Sequence, residues 1–403
     1  MWTDLIFAAI IFAAIYLNVF HLLLWFEERD KIRGKGRSRR LPILSVIVPA
    51  FNEEKTIART LKKILASNYP KNKLEVIVVD DGSTDATAKV AGQFKGVKVL
   101  RKPRGGKASA LNYGLRHAKG ELVAVVDADS LLHENALRNC VEFFDEPSVA
   151  AVTSHILPKG RSFLERMQRL EFMTISLARK LQEKLNIIYA TPGPLSVYRK
   201  NVLLALGGFD ERNLTEDIEI CWRIQRAGYK VKMAYNARVY SIYPSSLRTW
   251  FKQRARWNIG GLQTLAKHFG AIFDQRKHPV KIWHVPLFTV SAALALLGLA
   301  VLTYLWLLYL VKQVGFFLET LALGGNVLRT FTFGITLDVF FILGVTAFIT
   351  TLVSLKIVLD EYKEEFKIWE LLCFLCFYVL LFPLAFGYSL LRVMLGKVGW
   401  FTK

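Results

Sequence analysis

Hydrophobic residues are concentrated in four long runs of this 403-residue chain, at residues 5–26, 285–311, 331–358 and 368–391. Each run is long enough to cross a bilayer as a helix, because about 20 apolar residues span the hydrocarbon core. The first run is too long for a signal peptide and lacks a basic start and a small-residue cleavage site, so we interpret it as an anchor. The pattern predicts a transmembrane helix at residues 1–26 and a membrane region of three or four spans at residues 285–403.

Between the first two runs, short apolar segments alternate with segments of helical spacing. The segments of strand length lie at residues 43–49, 75–79, 97–100, 122–126 and 149–153. This alternation predicts a doubly wound parallel sheet flanked by helices, and we assign residues 43–244 to that α/β domain. Ligands of such sheets bind in the crevice beyond the carboxyl ends of the strands.

Two other segments have the pattern of amphipathic helices. Residues 161–187 carry apolar side chains at helical spacing, among them Phe163, Met167, Leu170, Ile175 and Leu177. Residues 245–281 carry eight Lys or Arg residues and one acid, with aromatic residues between them. A basic amphipathic helix of this kind is typical of a membrane interface, so we assign residues 245–284 to an interface segment.

Positive charge adjoins the first apolar run, where residues 27–40 contain seven Lys or Arg residues and three acids. Because basic residues favour the cytoplasmic side of a membrane, residues 27–42 are expected to form a cytoplasmic juxtamembrane linker. The domain after it is then cytoplasmic, in a multi-pass protein of the plasma membrane. Nucleic-acid binding also fits the net charge of +21, but no nucleic-acid motif is present and the apolar runs favour a membrane explanation.

The side of the membrane on which the chain ends is not fixed by these patterns. Three spans after a cytoplasmic domain put Lys403 outside, whereas Arg392, Lys397 and Lys403 favour the inside. Either one apolar run skims or re-enters the membrane, or a further span lies around residues 316–332. The four cysteines have no spacing typical of a disulfide or zinc framework.

Two carboxylates, Asp127 and Asp129, directly follow the apolar segment 122–126. At the end of a buried strand they would lie in the ligand crevice. Carboxylate oxygens are ligands for Mg²⁺ or Mn²⁺, ions that commonly bridge to substrate phosphates. The alternative is a capping turn before a helix at Glu134, and a lone pair of acids favours that alternative. The metal interpretation therefore depends on the other motifs.

A second acidic strand end has the sequence Asp80-Asp81-Gly82-Ser83-Thr84-Asp85. A carboxylate here would accept hydrogen bonds from a uracil N–H or from ribose hydroxyls. The alternative is a plain turn in which Ser83 or Thr84 caps the next helix. The basic, glycine-rich loop 101–107 follows the next strand, and its Lys107 would meet phosphate as a point charge.

Two motifs follow later in the chain. Thr215-Glu216-Asp217 opens a helix, either as an ordinary acidic helix start or with Asp217 as a general base. In Gln253-Arg254-Ala255-Arg256-Trp257, Gln253 and Arg256 are three residues apart and share one helical face. Taken alone, this second motif is simply part of a basic amphipathic helix.

In chain order, these motifs form the series D, DxD, TED and QxxRW, at Asp81, Asp127–Asp129, Thr215–Asp217 and Gln253–Trp257. The series resembles the membrane-embedded, processive family-2 glycosyltransferases: the cellulose, chitin, hyaluronan and poly-N-acetylglucosamine synthases. The segments Pro49–Glu53 and Gly106–Asn112 are similar to that family as well, and Gly193–Arg199 is similar to the acceptor-side segment of hyaluronan synthases. The catalytic resemblance covers residues 43–260.

The resemblance implies a GT-A fold, which is Rossmann-like, and an inverting hexosyl transfer from a UDP-sugar. It implies nucleoside contacts for Phe51, Glu53, Asp80 and Asp81, and Mg²⁺ or Mn²⁺ held by Asp129 with help from Asp127. Asp217, in the motif with Glu216, would deprotonate the acceptor hydroxyl. Gln253 and Arg256 would neutralise the departing diphosphate, and Trp257 would stack on the acceptor sugar. These roles are chemically reasonable, because the leaving group gains charge and the hydroxyl needs a base.

The expected function is extension of a β-linked polysaccharide from UDP-N-acetylglucosamine or UDP-glucose, with movement of the polymer across the membrane. The alternative is a single transfer to a polyprenyl phosphate or another lipid. A non-enzymatic receptor or scaffold predicts missing carboxylates, and none is missing. The FxVTxK gating segment of cellulose synthases is absent apart from a faint echo at residues 400–403, and no PilZ-like regulatory domain is present. A narrow channel would be completed by a second copy or an accessory subunit.

Overall fold

The structure is a computed structural model that describes residues 2–34, 36, 38, 40–323 and 339–397. An α/β domain lies between one long N-terminal helix and three C-terminal helical segments of membrane-spanning length. The strands are β1 (Leu44–Ala50), β2 (Leu74–Asp80), β3 (Val97–Arg101), β4 (Leu122–Val125), β5 (Leu131–Leu132), β6 (Val149–Lys159), β7 (Ser196–Arg199) and β8 (Lys230–Ile242). The helices of the domain are α2 (Ile57–Leu65), α3 (Thr87–Gly92), α4 (Lys107–His117), α5 (Ala136–Val141), α6 (Phe163–Gln182), α7 (Lys200–Ala205), α8 (Glu216–Arg226) and α9 (Leu247–His268).

The strands form one mixed sheet in the order β3-β2-β1-β4-β7-β6-β8-β5. The first four strands are parallel, as predicted. The prediction of a wholly parallel sheet is wrong, because β7 pairs antiparallel with both β4 and β6, and β5 pairs antiparallel with β8. Strand direction depends on pairing between residues far apart in the chain, and local apolar patterns do not encode it.

Strand β8 was not predicted, although its sequence alternates. Val231, Met233, Val239 and Ser241 are buried while Lys230, Arg238 and Ile242 are exposed. The strand pairs in parallel with β6, and two register shifts interrupt that pairing. Its position brings Ser241–Tyr243 to the same end of the sheet as the acidic strand ends.

The parallel half of the sheet places the acidic motifs together. Strands β1, β2 and β4 are adjacent and run in one direction, so the residues after Ala50, Asp80 and Val125 emerge at one edge. All residues of β4 are buried, and the chain becomes partly exposed at Asp127 and Asp129. The predicted crevice at the carboxyl ends of the strands is therefore confirmed.

Within the described residues, four helical segments have the length and apolar composition to cross a membrane: Thr3–Lys31, Val280–Ala322, Phe341–Tyr362 and Ile368–Met394. These segments overlap α1 (Trp2–Glu28), α10 (Val285–Ala322), α11 (Val339–Tyr362), α12 (Ile368–Cys373) and α13 (Leu381–Met394). Residues 316–322 of the proposed extra span are the last part of α10. Residues 324–332 of that span and the gating echo at residues 400–403 lie outside the described residues.

The predicted interface helix is shorter than its pattern indicated. Helix α9 ends at His268, and a 3₁₀ turn covers Phe269–Phe273. Helix α9 packs against α13, where Ser389 Oγ donates a hydrogen bond of 3.3 Å to the Ala255 carbonyl. Trp250, one of the aromatic residues that gave the segment its amphipathic pattern, is therefore buried and contacts Tyr378, whereas Phe269 stays exposed.

A buried polar cluster joins the domain to the last membrane segment. Arg254 donates a hydrogen bond of 2.6 Å to Glu171, and the Tyr378 hydroxyl donates one of 2.5 Å to the same carboxylate oxygen. The Trp250 indole donates a hydrogen bond of 2.8 Å to Tyr378. Because these groups come from α6, α9 and the membrane segment, the cluster fixes how the three elements meet.

Candidate active site

A cavity of about 720 Å³ begins at the carboxyl ends of the strands and continues between α10 and α13. Lys107, Asp127, Asp129, Glu216 and Asp217 line one part of it, with Gln253, Arg256 and Trp257. The structure therefore brings three of the four sequence motifs to one cavity. Apolar side chains from α10 and α13 line the other part, among them Leu287, Phe288, Ala292, Ala295, Phe382 and Phe386.

The two carboxylates of the DxD motif are held at the end of β4. The backbone N–H of Asp127 donates a hydrogen bond of 3.1 Å to the Gly193 carbonyl, so the segment before β7 closes on this turn. Lys107 Nζ lies 2.7 Å from Asp127 and 3.1 Å from Glu216. Lys107 thus joins the DxD turn to the start of α8.

Negative charge is in excess around Asp129. Burial and the charges of Asp127 and Glu53 raise the pKa of Asp129 to about 7, although Lys107 acts in the opposite direction. Burial by itself lowers the pKa of Lys107, but the charges of Asp127, Glu216 and Asp217 hold it above the ordinary lysine value. A set of hard oxygen donors with unneutralised charge fits a divalent cation. Among the described residues, no group of three or more His, Cys, Asp or Glu is arranged to hold a metal ion.

Asp217 lies in the first turn of α8, with its backbone carbonyl held in place. The Thr191 N–H and hydroxyl donate hydrogen bonds of 3.2 and 2.9 Å to that carbonyl. Burial and the adjacent charge of Glu216 raise the pKa of Asp217 to about 6, against the opposing charges of Lys107 and Arg256. A carboxylate with a pKa near neutrality is well suited to accept a proton from a hydroxyl. Thr215 is the N-cap of α8 and makes no side-chain capping bond, whereas Glu216, Asp217 and Glu219 do form an acidic first turn. The acidic helix start is therefore present, and the role of Asp217 as a general base stays a prediction.

Helix α9 presents Gln253, Arg256 and Trp257 to the cavity. Arg256 donates a hydrogen bond of 3.2 Å to the Leu214 carbonyl, just before α8. The Gln253 side-chain oxygen accepts a hydrogen bond of 2.7 Å from Arg254, whose guanidinium lies 4.2 Å from the centre of the Trp257 ring. The positions of Gln253 and Arg256 on one helical face are confirmed.

The predicted nucleoside residues lie at the neighbouring strand ends and do not line this cavity. Asp80 is fully buried and accepts hydrogen bonds from the Ser83 N–H and from Arg101, at 3.0 and 3.1 Å. Asp81 accepts from Lys102 and from the Gly105 and Gly106 N–H groups, at 2.7 to 2.9 Å. Both carboxylates thus organise the turns around them, so their nucleoside contacts stay a prediction.

The first strand end contributes Phe51 and Glu53. The Arg104 guanidinium lies 3.1 Å from the centre of the Phe51 ring. Glu53 accepts a hydrogen bond of 2.6 Å from the Thr56 hydroxyl, and its backbone N–H donates one of 2.7 Å to Thr87. The loop 101–107 therefore folds back onto the first strand end, next to the cavity.

Several residues of the cavity were not identified from the sequence as site residues. Gly193 lies where a Cβ atom would stand 2.7 Å from the Asp127 carboxylate and would overlap Lys107. On α6, Glu171, Ile175, Arg179 and Gln182 line the cavity. These four positions are separated by four, four and three residues, so they lie on one helical face. That spacing was the feature of the sequence that could have identified them together.

Comparison with known proteins gives a consistent result. The family described as "Glycosyltransferase like family 2" matches residues 42–260. A protein of Bacillus subtilis (strain 168) named probable glycosyltransferase YdaM is 30% identical over 262 residues, which is 62% of this chain and 62% of that protein. A poly-beta-1,6-N-acetyl-D-glucosamine synthase of Staphylococcus epidermidis is 27% identical over 291 residues, covering 68% of this chain and 69% of the relative. The chain thus matches less than two thirds of the length of the first of these relatives.

Among solved structures, a mannosyltransferase from Pyrobaculum calidifontis in complex with GDP-Man and Mn²⁺ superposes with a TM-score of 0.57. The superposition covers 89% of this chain and 100% of that chain, at 25% sequence identity. A coverage of this extent includes helices outside the α/β domain as well as the GT-A core.

Proposed function

The chain belongs to glycosyltransferase family 2, and on that basis we propose that it transfers a sugar, with inversion, from a nucleoside diphosphate sugar to the end of a growing β-linked glycan. The observation that carries this proposal is the continuous cavity from Asp127 and Asp217 to the helices α10 and α13. Such a cavity can hold a donor at one end and a membrane-associated acceptor at the other. The staphylococcal relatives named poly-beta-1,6-N-acetyl-D-glucosamine synthase support UDP-N-acetylglucosamine as donor, with UDP-glucose as the next candidate.

In the proposed reaction, Asp217 takes the proton of the acceptor hydroxyl as that oxygen attacks the anomeric carbon. The bond from that carbon to the diphosphate breaks in the same displacement, so an α-linked donor gives a β-linked product. Arg256, Gln253 and Lys107 line the cavity beside Asp217 and would stabilise the developing charge of the leaving diphosphate. The Gln253 side-chain oxygen also accepts a hydrogen bond from Arg254. Trp257 offers an aromatic face to the acceptor sugar.

Asp127 and Asp129 are the residues proposed to hold a divalent cation, Mg²⁺ or Mn²⁺. When bound, the cation would neutralise charge on the diphosphate as it departs. Burial, together with the charges of Asp127 and Glu53, raises the pKa of Asp129, and a cation beside it would relieve this accumulation of negative charge. The Mn²⁺ in the mannosyltransferase complex also supports the assignment. We assign the nucleoside contacts to Phe51, Glu53, Asp80 and Asp81.

The four apolar helices support a multi-pass protein of the plasma membrane, and the basic linker 27–42 supports a cytoplasmic position for the α/β domain. In that topology the donor is taken from the cytoplasm. The glycan would leave along the cavity between α10 and α13, with a second copy or an accessory subunit completing the channel.

A single transfer to a membrane lipid is the second candidate function. The apolar lining from Leu287 to Ala295 favours it, since hydrocarbon can pack there between the helices. Both candidates use the same donor site and the same base, and they differ in what occupies the membrane side of the cavity.

The experiment that tests the proposal uses the full-length protein in lipid nanodiscs with Mg²⁺ or Mn²⁺. Radiolabelled UDP-N-acetylglucosamine, UDP-glucose and GDP-mannose are offered separately, and the products are sized and extracted. A large glycan that a β-specific hydrolase degrades supports the polymer function and identifies the donor. One labelled sugar extracted into organic solvent supports the lipid acceptor instead, and no transfer from any donor contradicts both.

A further inference from the structure

Arg179, on α6, is a buried cation that faces the cavity. Its side chain is only 4% exposed and belongs to the cavity lining. Within the described part of the chain, its Nε and Nη1 atoms have no hydrogen-bond partner and no carboxylate forms an ion pair with it. Burying an unpaired guanidinium costs several kcal/mol, so an anion that enters the cavity would be bound strongly at this position.

A second buried arginine, Arg254 of α9, has a carboxylate partner on the helix that carries Arg179. Arg254 is 2% exposed and forms an ion pair of 2.6 Å with Glu171 of α6. Glu171 and Arg179 lie on one face of α6, eight residues apart, which is about 12 Å along the helix. One buried arginine of the cavity therefore has a carboxylate supplied by the protein, and the other does not.

Arg179 lies in the cavity close to α8 and to the end of β8. Its charge acts on Cys221, one turn beyond Asp217 on α8, and on Tyr243. The nearby segment 187–190 lines the cavity, and Tyr189 packs edge-to-face against Phe288 of α10 at 5.7 Å. Gln182, one turn beyond Arg179, contacts His21 of α1 at 3.3 Å. The Arg179 side chain thus lies between the polar part of the cavity and the apolar helices.

We propose that this end of the cavity binds the phosphate group of a membrane lipid, with Arg179 pairing with the phosphate and the hydrocarbon lying along α10. A guanidinium binds phosphate through two parallel hydrogen bonds, and an amphiphile matches a site with a buried cation beside an apolar wall. The inference rests on the proposed function and names the acceptor class of that site. The lipid phosphate is the acceptor of a single transfer or the primer on which a glycan begins.

Lipid binding is measured first, without any donor, so that the result does not depend on catalysis. Purified full-length protein is titrated with a polyprenyl phosphate and, separately, with the uncharged polyprenol, and complexes are counted by native mass spectrometry. We expect the phosphate to bind at least ten times more tightly than the alcohol. Arg179→Gln should remove that preference, and Arg179→Lys should restore part of it. Lys184→Gln is the control, since Lys184 lies just after the end of α6 and pairs with Glu27 and Glu28 outside the cavity lining.

Transfer kinetics then distinguish the two sources of phosphate. With an active donor, Arg179→Gln is expected to raise the KM for the lipid phosphate at least tenfold and to leave the KM for the donor unchanged. A rise confined to the donor KM would mean that Arg179 binds the donor diphosphate, and would overturn the inference. Equal preference for the lipid phosphate in the wild type and in Arg179→Gln would overturn it too. If the protein transfers sugar from none of the donors but still binds the polyprenyl phosphate more tightly than the polyprenol through Arg179, the proposed function is wrong and the lipid-phosphate site is supported.

Discussion

Gly260 of α9 lies directly against Thr215 at the start of α8, so that a Cβ atom at Gly260 would stand 2.8 Å from the Thr215 Cβ and overlap its hydroxyl. This close approach places Arg256, one turn earlier on α9, within hydrogen-bonding distance of the Leu214 carbonyl. The distance between the proposed base and the proposed diphosphate-binding arginine therefore depends on a glycine outside both motifs.

Gly260→Ala is expected to lower transferase activity at least tenfold, because α9 must move away from α8 and takes Arg256 with it. Overpacking of this kind costs about 1–3 kcal/mol of stability, which a shift in thermal unfolding would register. Gly261→Ala is the matched control, since a Cβ there would have only an ordinary contact, 4.0 Å from Phe288. Equal activities of the two variants would show that the close contact between Gly260 and Thr215 does not determine the position of Arg256 in the active site.

Asp217→Asn is expected to reduce transfer by about 10²–10⁴-fold, the range that a general base contributes. The amide is nearly the same size but cannot accept the proton, so affinity for the donor should stay within about twofold. Calorimetric titration with a nucleotide sugar measures that affinity, and single-turnover transfer measures the chemistry. Loss of donor binding in this variant would contradict the assignment of Asp217 as the base.

The pH dependence of transfer should reflect the raised pKa of Asp217, which is about 6. The base is active when deprotonated, and the deprotonated fraction increases with pH. The rate with bound substrates is therefore expected to rise between pH 5 and 7 and to level off above that range. A rate that stays constant across this interval, measured in one buffer of constant ionic strength, argues against a carboxylate base with this pKa.

Asp129→Ala is expected to abolish the part of donor affinity that depends on Mn²⁺ or Mg²⁺. The reason is that the remaining carboxylate of the pair, Asp127, is already engaged by Lys107 at 2.7 Å. Donor titrations with and without the cation measure the effect, and Asp145→Ala, which removes an exposed carboxylate elsewhere, serves as the control. If the cation still strengthens donor binding to the variant, the metal is held by other groups.

Glu171→Ala should destabilise the protein by about 3–5 kcal/mol, because it leaves the buried Arg254 without its carboxylate. The Tyr378 hydroxyl also loses its acceptor, so the last membrane segment should loosen from α9. Asp360→Ala breaks the exposed pair with Lys356 and is expected to change stability by less than about 1 kcal/mol. Thermal unfolding in one detergent compares the two, and a similar small loss for both variants would contradict a structural role for the buried cluster.

The order of motifs and the apolar runs were readable from the sequence because both are local. A strand of buried valines followed at once by Asp127 and Asp129 requires no knowledge of distant residues, and parallel neighbours then place Asp80 and Asp81 at the same edge. Sequence length and hydropathy likewise indicated where four long apolar helices lie. Spacing alone put Gln253 and Arg256 on one face of α9.

Only the tertiary structure decided which of these residues share a cavity and which charges lack a partner. The antiparallel insertion of β7 brings Gly193 onto Asp127, and the fit of Gly260 against Thr215 brings α9 to α8. The contrast between Arg254, which Glu171 neutralises, and Arg179, which no carboxylate of the described chain neutralises, is likewise invisible in a sequence. Strand pairing, close contacts and burial involve residues far apart in the chain. The energies of these interactions depend on distances in space, and the periodicity of the sequence carries no information about those distances.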